Sequence, residues 1–311
     1  FLTPEVPGAR LLVRIGSQGK TVIADDEGFF DVRLDLSEPL SPDRTWHEVS
    51  VEVLWPHAPG QEDHLTTGEV LAPQERASFG IISDIDDTIL RTEATSILRM
   101  LRLVMLSNAH TRLPFEGVGA FYRALRDGAD EKRDNPVFYV STGPWNFYDL
   151  LSHFLELQRL PTGPIFLKDW GGLKDVLRGM DHLSHKLEVI RNILKTHPDL
   201  SFVLVGDSGQ QDAEVYGQVA REFPERVRAI YIRDVKGEVR AGAVNEIADS
   251  LRALNVPMLL VPDTVAAAKH ASANGLISPN SLPAIRERRA EDADANILKE
   301  GAAIIEHLSQ R

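Results

Sequence analysis

Apolar residues fall in two different rhythms along the 311-residue chain. Up to about residue 70 the apolar runs are short and mostly alternate with polar positions, the period of a half-buried strand. Leu11–Ile15, Thr21–Ala24, Phe29–Leu36 and Val49–Trp55 are predicted as strands, with turn signals in Gly16–Lys20 and Asp25–Gly28. Pro56–Gln74 reads as a linker holding one further strand, Thr67–Leu71. From Phe79 the texture changes. Short continuous apolar runs now alternate with longer helical stretches, the pattern of a parallel βαβ sheet. Phe79–Ile82, Val137–Val140, Phe202–Val205, Ala229–Ile232 and Met258–Val261 are its predicted strands. Leu187–Leu194 and Ala213–Phe223 are predicted helices, and Pro262–Ile277 and Glu287–Leu308 a helical tail packed on the sheet. The expectation is an α/β protein. A small all-β sandwich with its linker occupies 1–74, a Rossmann-like parallel sheet 75–265 and a helical C-terminal extension 266–311.

The predicted strands of the second part end in hydroxyl or carboxylate residues, and parallel strands put all such tips on one edge, where open α/β sheets bind ligands. The first ends in Ser83-Asp84-Ile85-Asp86-Asp87-Thr88. Asp84 and Asp86 repel one another unless a cation sits between them or one keeps a proton. That points to a metal-assisted phosphoryl-transfer site, one Asp as nucleophile and the other as acid/base. An acidic loop opening a helix would carry the same letters. A later tip reads Gly206-Asp207-Ser208-Gly209-Gln210-Gln211-Asp212. Asp207 could bind a divalent cation directly; Asp212 could bind it, orient a ligating water, or cap the following helix. Oxygen ligands without nearby His or Cys favour magnesium over zinc. Lys186, at a helix start, is a solvated residue on its own letters. Placed beside the Asp207 strand, it could hold a phosphate and steady the nucleophile.

Composition narrows the class. An apolar content of 43% and a charged content of 26% are those of an ordinary globular protein. With no cysteine, disulfides, thiol chemistry and Cys-based zinc sites are excluded, which fits a reducing compartment. The net charge of −12 argues against nucleic acid as a partner. No apolar run approaches the roughly 20 residues of a membrane span, and no signal peptide is read, although the sequence opens on Phe1 rather than Met. The expectation is a cytoplasmic protein. Ile97–Leu106, an apolar segment carrying Arg99 and Arg102, reads first as a cap helix buried against the sheet; peripheral membrane contact through it is the second reading.

Four motifs in order, Asp-x-Asp-x-Thr, a strand ending in Ser, a Lys, and Gly-Asp with a second Asp, resemble the haloacid dehalogenase superfamily. In detail, Ser83-Asp84-Ile85-Asp86-Asp87-Thr88, Tyr139-Val140-Ser141-x-x-Pro144-Trp145-Asn146, His185-Lys186 and Gly206-Asp207-Ser208-Gly209-Gln210-x-Asp212 are similar to the catalytic domain of the actin-patch-type, magnesium-dependent phosphatidate phosphatases. The resemblance covers about Phe79 to Val235; the turn at Asp25–Phe30 separately resembles small transthyretin-like or carboxypeptidase-regulatory-like sandwiches. It implies Asp84 as the nucleophile forming an aspartyl-phosphate and Asp86 as the acid/base, its carbonyl also touching Mg2+. It implies Ser141, Thr142 and Thr88 on the substrate phosphate, Lys186 pairing with Asp84 and the phosphate, and Asp207 and Asp212 completing the metal set with Asp84 and Asp86. Gly143 departs from the family, which more often has a hydroxyl residue there. The activity implied is hydrolysis of phosphatidate to diacylglycerol and phosphate. The alternatives are the same chemistry on a soluble nucleotide, sugar or inositol phosphate, and a non-catalytic lipid- or partner-binding adaptor.

Overall fold

In the computed structural model, which describes residues 6–56, 64–85, 116–168, 182–235 and 237–294, the chain divides into two units, Phe1–Glu75 and Arg76–Arg311. The first is an antiparallel sheet of β1 (Arg10–Ile15), β2 (Gln18–Ile23), β3 (Trp46–Trp55) and β4 (Leu65–Leu71), in the order β2-β1-β3-β4. Leu11, Val13 and Ile15 alternate inward from β1 and are buried, as period-two patterning requires. The expected strand Phe29–Leu36 is not formed. Its alternation is real, since Val32, Leu34 and Leu36 are half-buried while Asp31, Arg33 and Asp35 are exposed. Alternation, however, specifies a buried side and not a ladder partner. The segment meets β2 through side chains instead, Lys20 Nζ donating to the Arg33 carbonyl (3.2 Å) and Gln18 Nε2 to Ser37 Oγ (2.9 Å). The all-β character is therefore carried by one sheet, and a second facing sheet is not formed among the described residues.

The second unit is a six-stranded, wholly parallel sheet in the order β10-β9-β8-β5-β6-β7. Its strands are β5 (Gly80–Asp84), β6 (Val137–Pro144), β7 (Ile165–Lys168), β8 (Phe202–Asp207), β9 (Val227–Arg233) and β10 (Met258–Val261). Between them run α1 (Val118–Asp127), α2 (Tyr148–Leu157), α3 (His182–Thr196), α4 (Asp212–Glu222) and α5 (Glu238–Leu251). Buried strand residues alternate between two layers. Ile81, Tyr139, Val203, Val205 and Tyr231 pack with Phe121 and Leu125 of α1 and Leu151 and Phe154 of α2. Chain order and spatial order together place the site: the chain leaves β5 toward β6 and β7, then returns to lay β8 on the opposite side of β5. That reversal opens a crevice at the carboxyl ends of β5 and β8.

After β10, α6 (Thr264–Ala273) starts on an N-cap, Asp263, whose Oδ1 accepts from Ala266 N at 2.8 Å. A last helix, α7 (281–294), follows. Ile285 of α7 and Ala267, Ala268 and Ala271 of α6 belong to the same core as α1. Asp292 Oδ2 of α7 accepts from Gly117 N at 2.9 Å, holding the start of α1, which has no side-chain cap of its own. Gly117 has φ 77°, and a Cβ there would meet the Ile285 carbonyl at 3.1 Å. No helix among the described residues is long and apolar enough to cross a membrane. The segment Ile97–Leu106, with Arg99 and Arg102, and the end of the expected Glu287–Leu308 helix lie outside the described residues.

Candidate active site

Asp84 is the last residue of β5 and Asp207 the last of β8, neighbouring strands at the reversal point, and both are fully buried. Asp212, also fully buried, opens α4. Each of the three offers a carboxylate oxygen within 4.8 Å of the others. Lys186 reaches them from α3: its Nζ donates to Asp84 Oδ1 at 2.7 Å and to Asp212 Oδ1 at 2.6 Å. The predicted site residues Asp84, Lys186, Asp207 and Asp212 are thus brought together. Ser141 is buried on β6, one position beyond Val140, which pairs with Asp84, and Thr142 follows it half-buried. Ser141 Oγ accepts from Gly143 N at 2.9 Å, so the backbone at Gly143 fixes this hydroxyl. Asp86 and Thr88 lie outside the described residues.

The alternative in which Asp212 caps α4 is corrected. The N-cap is Gln211, which makes no side-chain cap hydrogen bond. Asp212 turns back instead: Oδ1 takes the lysine and Oδ2 accepts from Asp207 N at 3.1 Å. Gly206 makes room for this turn, since a Cβ there would stand 2.5 Å from Asp212 Oδ2. Asp207 Oδ1 is oriented by the backbone amides of Gly209 (2.5 Å) and Gln210 (3.1 Å). Arg240 of α5 clamps the same turn, donating to the Ser208 and Gln210 carbonyls while paired with Glu214. These supports, and Tyr122 of α1, whose hydroxyl lies 2.6 Å from Ser83 Oγ, were not anticipated from the sequence.

Three buried carboxylates facing one ammonium leave an excess of negative charge, and Asp212 and Lys186 respond to it. Burial pushes Asp212 well above the usual carboxylate range, and the Asp84 charge pushes it further. Burial alone would lower the Lys186 ammonium, but Asp212 and Asp84 more than reverse that, and its pKa is raised. Asp84 Oδ2 is buried and accepts no hydrogen bond from any described residue. An unpaired buried acceptor amid excess negative charge suits a cation, and an all-oxygen set suits a hard one. The residues present therefore fit a metal ion held by Asp84, Asp207 and Asp212.

Comparison with known proteins agrees with this geometry. The family described as "Phosphatidate phosphatase APP1, catalytic domain" matches residues 79–234, half of the chain. The Saccharomyces cerevisiae protein named phosphatidate phosphatase APP1 is 35% identical over 194 residues, covering 60% of this chain and 32% of that protein. An uncharacterised Schizosaccharomyces pombe protein is 30% identical over 166 residues, 53% of this chain and 26% of that one. The chain thus spans about a third or less of the length of these curated relatives. The matched stretch runs from the residue before β5 to the residue after β9, so it holds Asp84, Ser141, Lys186, Asp207 and Asp212. The chain belongs to the family of the phosphatidate phosphatase APP1 catalytic domain, with its haloacid-dehalogenase-like fold.

Proposed function

We propose that the protein is a magnesium-dependent phosphate monoester hydrolase acting through an aspartyl-phosphate on Asp84, and that its substrate is phosphatidate. The observation that carries the reaction is the pairing of Lys186 Nζ with Asp84 Oδ1 at 2.7 Å, while Asp84 Oδ2 is buried and accepts no hydrogen bond from any described residue. One oxygen is held by the lysine and the other is left for a cation. The substrate assignment is supported by the family match and the name of the yeast relative.

The Asp84 carboxylate attacks phosphorus, and the bond from phosphorus to the glycerol oxygen breaks. Asp86 gives its proton to the leaving alkoxide, which departs as diacylglycerol. Asp86 then takes a proton from water as the water oxygen attacks the phosphorus of the acyl phosphate, releasing inorganic phosphate and restoring the Asp84 carboxylate. Ser141 and Thr142, on β6 beyond its pairing with β5, and Thr88 hydrogen-bond the phosphoryl oxygens. Lys186 holds and aims Asp84. Asp84, Asp207 and Asp212, with Asp86 contributing, would hold magnesium, which would supply charge neutralisation at the phosphoryl group. The chemistry asked of the protein is mainly positioning and neutralisation.

The test is phosphate release from a short-chain phosphatidate in mixed micelles, with and without magnesium, beside a panel of soluble phosphate esters. Asp84→Asn serves as the blank. Magnesium-dependent release from the lipid, lost in Asp84→Asn, is expected. Release from soluble esters alone would keep the mechanism and overturn the lipid assignment. Release from neither would overturn the enzymatic reading in favour of an adaptor.

A further inference from the structure

The charge balance of the site calls for a cation beyond Lys186. Asp84 and Asp212 share the Lys186 ammonium, and Asp207 brings a third carboxylate oxygen within 4.8 Å of theirs. A divalent ion brings that set near neutrality, and a phosphate monoester then adds about −1.5 to −2. Arg233 ends β9, on the same edge of the sheet. The ladder sets it opposite Asp207, one strand spacing of about 4.8 Å away. Its side chain is 13% exposed, and Glu116 Oε2 forms an ion pair with it, 3.8 Å from its Nη2. Lys168, buried at the tip of β7, is the other flanking cation, but two strands, β5 and β6, separate it from β8.

Two further observations tie Arg233 to the site. Burial raises the Tyr122 hydroxyl pKa, and the charges of Asp84 and Arg233 act on that same hydroxyl in opposite directions. Tyr122, Gly206 and Arg233 also line one cavity of about 30 Å³, whose walls include the apolar Phe121, Val205 and Ala267. Arg233 and Gly206, the residue before Asp207, therefore border one small and largely apolar space. Arginine stays charged at any working pH, and its planar fork matches two phosphate oxygens at once.

We infer that Arg233 is a phosphate-binding residue of this site, with Glu116 as the counter-ion it leaves when the anion arrives. The inference rests on the phosphate-ester reading of the site and adds a binding group on the β9 side to the Asp84–Lys186 centre.

The probe is inorganic phosphate, titrated calorimetrically into the full chain in excess magnesium. Arg233→Gln should weaken phosphate about 10- to 100-fold, as expected for losing hydrogen bonds to a charged group. Arg233→Lys, which keeps the charge without the fork, should fall between Arg233→Gln and wild type. Glu116→Gln should tighten phosphate about two- to fivefold, the size of an exposed charge interaction, and should lose that effect in the double variant. A folded Arg233→Gln that binds phosphate as wild type does overturns the inference. Should Arg233→Gln fail to fold, an unchanged affinity in Glu116→Gln overturns it. A wild-type protein that binds no phosphate overturns it as well. Phosphate binding that depends on Arg233, without turnover of the lipid, would leave the inference standing and remove the lipid assignment.

Discussion

Three carboxylates around one ammonium predict opposite stability effects for two substitutions in direct contact. Lys186→Met removes the ammonium that Asp84 and Asp212 share and leaves three buried carboxylates facing one another. The lysine side chain is 4% exposed and both partners 0%, so solvent screens the pair little. Removing one partner of a buried pair costs about 3–5 kcal/mol. Two carboxylates lose their partner here, which favours the upper part of that range; uptake of a proton by Asp212 limits it. At about 2–4 °C per kcal/mol for a unit of this size, the midpoint should fall by roughly 6–20 °C. Asp84→Asn instead removes one of the three negative charges, still offers Lys186 an acceptor, and leaves Asp212 the whole ammonium. Its stability should lie within about 1 kcal/mol of wild type or above it, as expected where an active site stores repulsion. Both are measured by scanning calorimetry in a chelator, on the transition of the second unit. An Asp84→Asn protein destabilised as much as Lys186→Met would refute the charge-excess argument.

Other outcomes follow from neighbouring geometry. Gly206→Ala places a methyl 2.5 Å from Asp212 Oδ2 and should displace that carboxylate from Lys186 and the Asp207 amide; phosphate release should fall about 100-fold, the scale of a misplacement near 1 Å, with the circular dichroism spectrum retained. Asp292→Ala strips Gly117 N of its acceptor and should cost about 1–2 kcal/mol in urea denaturation, whereas Asp292→Asn, which keeps an acceptor, should cost less. His270 lies 2.9 Å from the Tyr231 hydroxyl, and burial lowers its pKa. A folded pKa below the unfolded value of about 6.5 gives stability that is present above that value and lost as pH falls through the folded one. Urea midpoints should therefore drop from pH 7 to pH 5, and His270→Gln should flatten part of the drop; His197, lowered by burial and Arg226, accounts for a further part.

The chemistry of this site was legible because each group sits at the end of an apolar run. In a parallel sheet, chain direction alone sends Asp84, Ser141 and Asp207 to one edge, so local letters predict a long-range meeting. Lys186 was legible only through that company, since nothing in a helix start marks a lysine that will be 3% exposed. What resisted reading was decided by register and by missing atoms. Asp212 has the letters of a helix cap; the absent Cβ at Gly206, six residues earlier, lets its carboxylate turn back into the site. Helix α1 carried a readable signal in Val118, Phe121, Tyr122 and Leu125, on one face at helical spacing and bounded by Gly117 and Gly128. Its capping by Asp292, 175 residues away, carried none. The strand expected at Phe29–Leu36 erred the other way, because an alternating pattern says which side is buried and nothing about which strand is the neighbour. Arg233 joins both lessons. Its place at a strand tip is written in the sequence, but that it stands opposite Asp207 follows only from β8 and β9 being adjacent, a consequence of the reversal that also brings Asp84 and Asp207 together.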